Sequence, residues 1–213
     1  FLPVMDGFAK YLSDDLPILQ ITWARYFFTV VFILPIMIFF FKKQLVWSDK
    51  PKLQILRGLI LLSANICFFY AISIISLAKA LTLAFVAPLI VTAFSPVMLG
   101  EKVGFRRWTA VVIGFIGSLV VIRPGFVELN FASLAALGTG IFYGFYLIIT
   151  RKLSTSDNPL LTLLITGMVG AILVSAIIPF YWVKPSINQW SLMAGIGVFA
   201  CIGHLFLILS LKY

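Results

Sequence analysis

Eight long apolar runs, near 1–12, 20–41, 58–76, 80–99, 108–122, 132–150, 160–182 and 192–211, constrain this chain more than any other feature. A membrane-spanning helix needs roughly 20 apolar residues, whereas a barrel strand alternates apolar and polar positions over about ten. The runs are continuous, so the expected fold is an all-α polytopic integral membrane protein. Composition agrees: 62% of the 213 residues are hydrophobic and 11% charged, against roughly 25% charged in a soluble domain. The longest connection, 42–57, is too short for a separate catalytic or nucleic-acid-binding domain, which takes tens of residues. Function is therefore expected inside the bilayer. The first run is short, opens at Phe1 and is interrupted by Asp6. No basic stretch precedes it as in a secretory signal, so it reads as a first helix cut short.

The formal charge of +9 comes from 16 Lys and Arg against 7 Asp and Glu. Placement gives it meaning. Alternate connections hold Lys42, Lys43, Lys50, Lys52 and Arg57, then Lys102, Arg106 and Arg107, then Arg151 and Lys152, with Lys212 at the end. The intervening ones hold only Lys79, Arg123 and Lys184. Lys and Arg accumulate in cytoplasmic connections, so the N-terminus is expected inside and the connection at 13–19, with Asp14 and Asp15, outside. The basic excess is then a topology signal, and nucleic acid is not an expected partner. Trp47, Trp108, Trp182 and Trp190 fall at span ends, where indoles anchor at the headgroup level. Cys67 and Cys201 lie within apolar runs and read as small hydrophobes.

Offsets of about 140 residues align Gly7-Phe8 with Gly144-Phe145, Pro17-Ile18-Leu19 with Pro159-Leu160-Leu161, Pro35 with Pro179, and Asn65 with His204. The order is preserved throughout. A duplicated unit of five helices accounts for it, and an odd number inverts the second copy. Inverted repeats recur in secondary transporters, which bind substrate near the midplane where the halves meet.

The stretch Ala87-Pro88-Leu89 through Gly100-Glu101-Lys102, with Arg106-Arg107-Trp108, Gly114-Phe115-Ile116-Gly117 and Arg123-Pro124-Gly125, resembles the end of an EamA repeat of the drug/metabolite transporter superfamily. The opening Asp6-Gly7-Phe8-Ala9-Lys10-Tyr11-Leu12, with Trp23-Ala24-Arg25-Tyr26, is similar to bacterial members that carry S-adenosylmethionine, carboxylates or amino acids. The resemblance implies inverted five-helix repeats in a ten-helix fold, with about eight helices present here. A first repeat is expected over 1–122, with helix 1 truncated, and a second over 132–213, with helices 6–8 only.

Ionisable groups within a bilayer cost on the order of 2.5–3.5 kcal/mol each and usually face a cavity or a partner. Asp6, Lys10 and Arg25 are such groups. Asp6 and Lys10 stand four apart, the acid first, which suits a same-face pair. Lys10, Arg25 and Lys79 all fall in the expected external half, where positive charge is otherwise scarce. Arg25, with its planar fork, suits a substrate carboxylate, and Asp6 could meet an amine. His204 is the single histidine; an unperturbed imidazole titrates near physiological pH, and this one could bond substrate or simply pack, as could Asn65. Tyr70, Tyr143 and Tyr146 could line a cavity. Pro35, Pro88, Pro96 and Pro179 fall inside spans, with the fourth span the one expected to bend. The pairs Gly140/Gly144 and Gly114/Ser118 have the spacing of close helix approach. Glu101 is expected to pair with Lys102, Arg106 or Arg107.

These residues point to a secondary transporter of a small polar metabolite, working by alternating access in a bacterial inner membrane. A membrane-embedded enzyme and a receptor or scaffold are the alternatives. No HExxH, clustered Asp or GxxxxGK[ST] occurs, so neither a metal, a catalytic residue, a cofactor nor ATP is expected. The expected partners are the substrate and the lipid bilayer, with a coupling ion and a second copy of the chain as further candidates.

Overall fold

A computed structural model of the chain describes residues 1–41, 48–122, 130–154 and 156–211. Lys42, Lys43, Trp47, Arg123 and Lys212 lie outside them, as does the side chain of Ser118. The described residues form α1 (Leu2–Leu12), α2 (Ile18–Phe40), α3 (Pro51–Ile74), α4 (Leu77–Ala84), α5 (Ala87–Leu99), α6 (Phe105–Ile122), α7 (Phe131–Ser154), α8 (Pro159–Ile177) and α9 (Ile187–Ser210). Six rods are long and apolar enough to cross a membrane: α2, α3, α4 with α5, α7, α8 together with the 3₁₀ turn Ile178–Tyr181, and α9.

Local sequence sets the ends. Prolines occupy the first turns of α1, α3 and α8, where a missing N–H costs nothing. Ser186 and Gln189 form a reciprocal capping box at the start of α9. Gly100 ends α5 at φ 71°, a left-handed cap that glycine takes without strain. Pro179 lies in the 3₁₀ turn that continues α8 to the end of its span.

The fourth span breaks at Phe85–Val86, three residues ahead of Pro88. Proline cannot donate to the carbonyl four residues back and crowds it; for Pro88 that carbonyl belongs to Ala84. Gly140 of α7 sits against it, and a Cβ there would come within 2.7 Å of the Ala84 oxygen. Gly144 likewise admits Ile90, so this small-residue pair seats α7 on the break. Gly114 meets no neighbour within 4 Å: α6 stands at the periphery, with Phe105, Ile113 and Val120 exposed, and the expected close approach there is absent.

Helix α3 packs on α7, α1 on α9, α2 on both α8 and α9, and α3 on α8. The main apolar core lies among α1, α2, α3 and α9, built on Met5, Ala9, Ile21, Phe69, Met193 and Ile196. Large apolar side chains such as Phe39, Phe40, Val97 and Phe180 point outward, the disposition of lipid-facing positions. Lipid tails are as apolar as leucine, so what distinguishes inside from outside here is close packing and buried polar groups.

Candidate functional site

A cavity of about 420 Å³ lies in the middle of the bundle, walled by α1, α2, α3, the α4–α5 break, α7 and α9. Its size falls in the range of small-molecule pockets, roughly 300–1,000 Å³. Five of the residues singled out from sequence line it: Asp6, Arg25, Asn65, Tyr143 and His204. They come from five different helices. Asn65 and His204 are aligned across the two halves of the sequence, and so are Asp6 and Tyr143, each of which precedes a matched Gly-Phe. Four others stand elsewhere, Tyr146 among them, fully buried beside His204 and outside the cavity lining. Lys10 is half-buried on α1 away from the cavity, Tyr70 is 37% exposed, and Lys79 is exposed near the start of α4. The three basic groups Lys10, Arg25 and Lys79 therefore do not converge.

Arg25 is the polar centre. It is 2% exposed; one guanidinium nitrogen, Nη2, lies 2.6 Å from His204 Nε2, and the guanidinium carbon sits 5.0 Å from the Tyr26 ring centroid. Its Nε and Nη1 have no hydrogen-bond partner. Buried charged donors are rarely left so, and such an arrangement is complementary to a planar anion entering the cavity. Asn65 donates to Tyr26 Oη at 2.7 Å, which fixes the ring that backs Arg25. Among the described residues the ion pairs are Glu101–Arg107 and Glu101–Arg151, so Asp6 and Arg25 share the cavity without closing on each other.

Arg25 can only donate, so His204 Nε2 must accept, and the imidazole carries its proton on Nδ1. That nitrogen lies 3.1 Å from Tyr146 Oη. The same hydroxyl accepts from Arg57 Nη2 at 2.9 Å.

Arg57 is the residue that sequence reasoning misplaced. Counted there within a basic connection, it lies inside α3 and is fully buried. Its Nε donates to Thr150 Oγ1 at 2.7 Å, and its Nη1 to Thr166 Oγ1 at 2.6 Å and to the Thr162 carbonyl at 3.1 Å. The guanidinium also stacks over the Tyr146 ring, 4.6 Å from its centroid. One turn nearer the helix start, Gln54 donates to Asp157 Oδ2 at 2.6 Å and to Thr162 Oγ1 at 3.0 Å, and Ser48 donates to the same carboxylate. The sequence signal was present as Gln54 and Arg57 spaced for one helix face, with Thr162 and Thr166 spaced for another.

The two ends of the bundle differ. At one, Ser48 meets Asp157 and Glu101 bonds Arg151 at 2.9 Å as well as Arg107 at 3.9 Å, so Glu101 bridges to α7 besides fixing its own turn. At the other, Gln20 exchanges hydrogen bonds with the Val183 backbone, and Trp23 packs with Phe27, Trp182 and Trp190. Trp182 and Trp190 are thus joined in an aromatic cluster at that end. Among the described residues no three His, Cys, Asp or Glu side chains come together to hold a metal ion.

Residues 5–123 match the EamA-like transporter family. The chain belongs to that family. EamA relatives include an S-adenosylmethionine uptake transporter of Rickettsia prowazekii, 27% identical over 194 residues, covering 91% of this chain and 66% of that protein. A riboflavin transporter of Vibrio cholerae is 27% identical over 209 residues, covering 94% of this chain and 69% of the relative. The pseudopaline exporter CntI of Pseudomonas aeruginosa is 28% identical over 214 residues, covering 96% and 72%. The chain thus spans about two thirds of the length of these relatives. One crystal structure shares the fold at a TM-score of 0.74 and 16% identity, covering 98% of this chain and 77% of that one.

Proposed function

We propose that this EamA member is a secondary transporter that carries a small metabolite bearing a carboxylate through the central cavity by alternating access, without a covalent step. The observation that carries this reading is Arg25, buried at the cavity with two donors unpartnered. A carboxylate supplies two planar acceptors to such a fork. Asp6, on α1 in the same cavity wall, then takes an ammonium or another cationic centre of the same cargo. Apolar neighbours such as Met5, Phe68, Phe85 and Leu147 suit the uncharged body of the molecule. The names of the Rickettsia relatives make S-adenosylmethionine, an amino acid with a cationic centre, the first compound to test.

The helix contacts support two inverted repeats over 1–122 and 132–213. A two-fold that exchanges α1 with α7, α2 with α8 and α3 with α9 turns the α3–α7 contact into α1–α9 and the α2–α9 contact into α3–α8. The sorting of Lys and Arg supports a cytoplasmic N-terminus in a bacterial inner membrane, which puts the Arg57 end of the bundle toward the cytoplasm. Counterflow of radiolabelled S-adenosylmethionine, amino acids and dicarboxylates in vesicles bearing the protein tests the reading. Saturable exchange of a carboxylate cargo, weakened by Arg25→Lys with membrane insertion intact, is expected. Exchange that is indifferent to Arg25→Lys overturns the role of Arg25, and product formation in place of exchange overturns transport.

A further inference from the structure

Toward the end of the bundle that bears Ser48 and Asp157, a layer of buried polar side chains joins α3 to α7 and α8. Its centre is Arg57. Burying a cation without a carboxylate partner is costly, and here four neutral oxygens offset the cost: Thr150 and Tyr146 on α7, and Thr166 and the Thr162 carbonyl on α8. Every one of these acceptors belongs to the second half of the chain, whereas Arg57 belongs to the first. Parting the halves here strips the guanidinium of all four at once and requires water to replace them. Tyr146 joins this layer to the cavity, since its hydroxyl touches both Arg57 Nη2 and His204 Nδ1, and His204 in turn holds Arg25.

We propose that Arg57 is the latch that closes this end of the cavity, and that Tyr146 and His204 tie the latch to the cargo arginine. The proposal rests on the transport reading and adds to it the positioning residues of one gate. Charge gives the latch a signature that plain packing lacks. Removing acceptors while the cation stays leaves a buried charge seeking water, and this end opens. Replacing the cation by an apolar side chain of similar length leaves α3 docked with nothing to hydrate, since Thr150 and Thr166 also donate to the backbone of their own helices, and the end stays shut.

The test uses the protein in membrane vesicles of both orientations, with Cys67 and Cys201 replaced and one reporter, Ala84→Cys, in the cavity wall. A membrane-impermeant maleimide is added from each side, and Lys50→Cys marks which side is the Arg57 end. Thr150→Val with Thr166→Val should speed labelling from the Arg57 end about tenfold and slow it from the opposite end. Arg57→Met should shift both rates the other way. A destabilised protein would label faster from both sides. Rates that rise together from both sides, that move in the same direction for the two kinds of variant, or that ignore the substitutions overturn the latch. None of these readings needs a cargo, so a failure of S-adenosylmethionine exchange is told apart from a failure of the latch.

Discussion

Two arginines, 32 positions apart in the sequence and both buried in a membrane protein, are treated in opposite ways. Arg57 bonds protein oxygens through each of its three guanidinium nitrogens and stacks on a ring. Arg25 stacks on Tyr26 and touches His204, and leaves Nε and Nη1 without partners. The same costly group can thus hold helices together or be held ready by them. The hydrogen bonds made to protein separate the two cases, because donors that meet no protein acceptor are left for what occupies the cavity, water or cargo.

The contrast is sharpest in the alanine variants. Arg57→Ala removes four hydrogen bonds and a large buried side chain, and should lower stability by roughly 3 kcal/mol, seen as an earlier melting transition in detergent. Arg25→Ala removes a single hydrogen bond to protein, so it should lower melting less than Arg57→Ala does while reducing carboxylate transport roughly 30- to 150-fold, the value of about 2–3 kcal/mol of charge-assisted bonds. Equal melting losses in the two variants would erase the distinction. Thr166→Val removes one acceptor from Arg57 and keeps its shape, so a loss of about 1–2 kcal/mol in stability is expected. Glu101→Gln breaks two ion pairs at the surface and should change stability by less than about 1 kcal/mol, decreasing with salt. A larger effect there would move the closure of this end outward from Arg57 to the surface.

Much of this was legible in the sequence. Among the described residues, six of the eight apolar runs fall on helices long and apolar enough to cross a membrane, the runs at 1–12 and 108–122 being the exceptions, and the cost of placing charge in lipid singled out Asp6, Lys10 and Arg25. The proline-rich fourth span marked the broken helix, though the break falls at Phe85–Val86 because Pro88 frees the Ala84 carbonyl. The helices also run beyond the apolar windows, as α3 does from Pro51 and α9 from Ile187. At the start of α3, Gln54 and Arg57 are buried against polar partners on α7 and α8, and hydropathy has nothing to register. Arg57 was lost for that reason: beside Lys50 and Lys52 it looks like one more cytoplasmic charge, and its partners Thr150, Thr162 and Thr166 are unremarkable singly. Lys10 was misjudged in the opposite sense. It stands one turn from Asp6, yet the side chain lies away from the cavity that Asp6 lines.

Counterflow of S-adenosylmethionine beside its decarboxylated analogue, in wild type and Arg25→Ala, tests most directly whether the open donors of Arg25 receive a carboxylate. The wild type should favour the carboxylate-bearing molecule by at least about tenfold, and the variant should carry both alike. A preference that survives intact in Arg25→Ala would mean that the carboxylate is read elsewhere, and would contradict the central role given to this arginine.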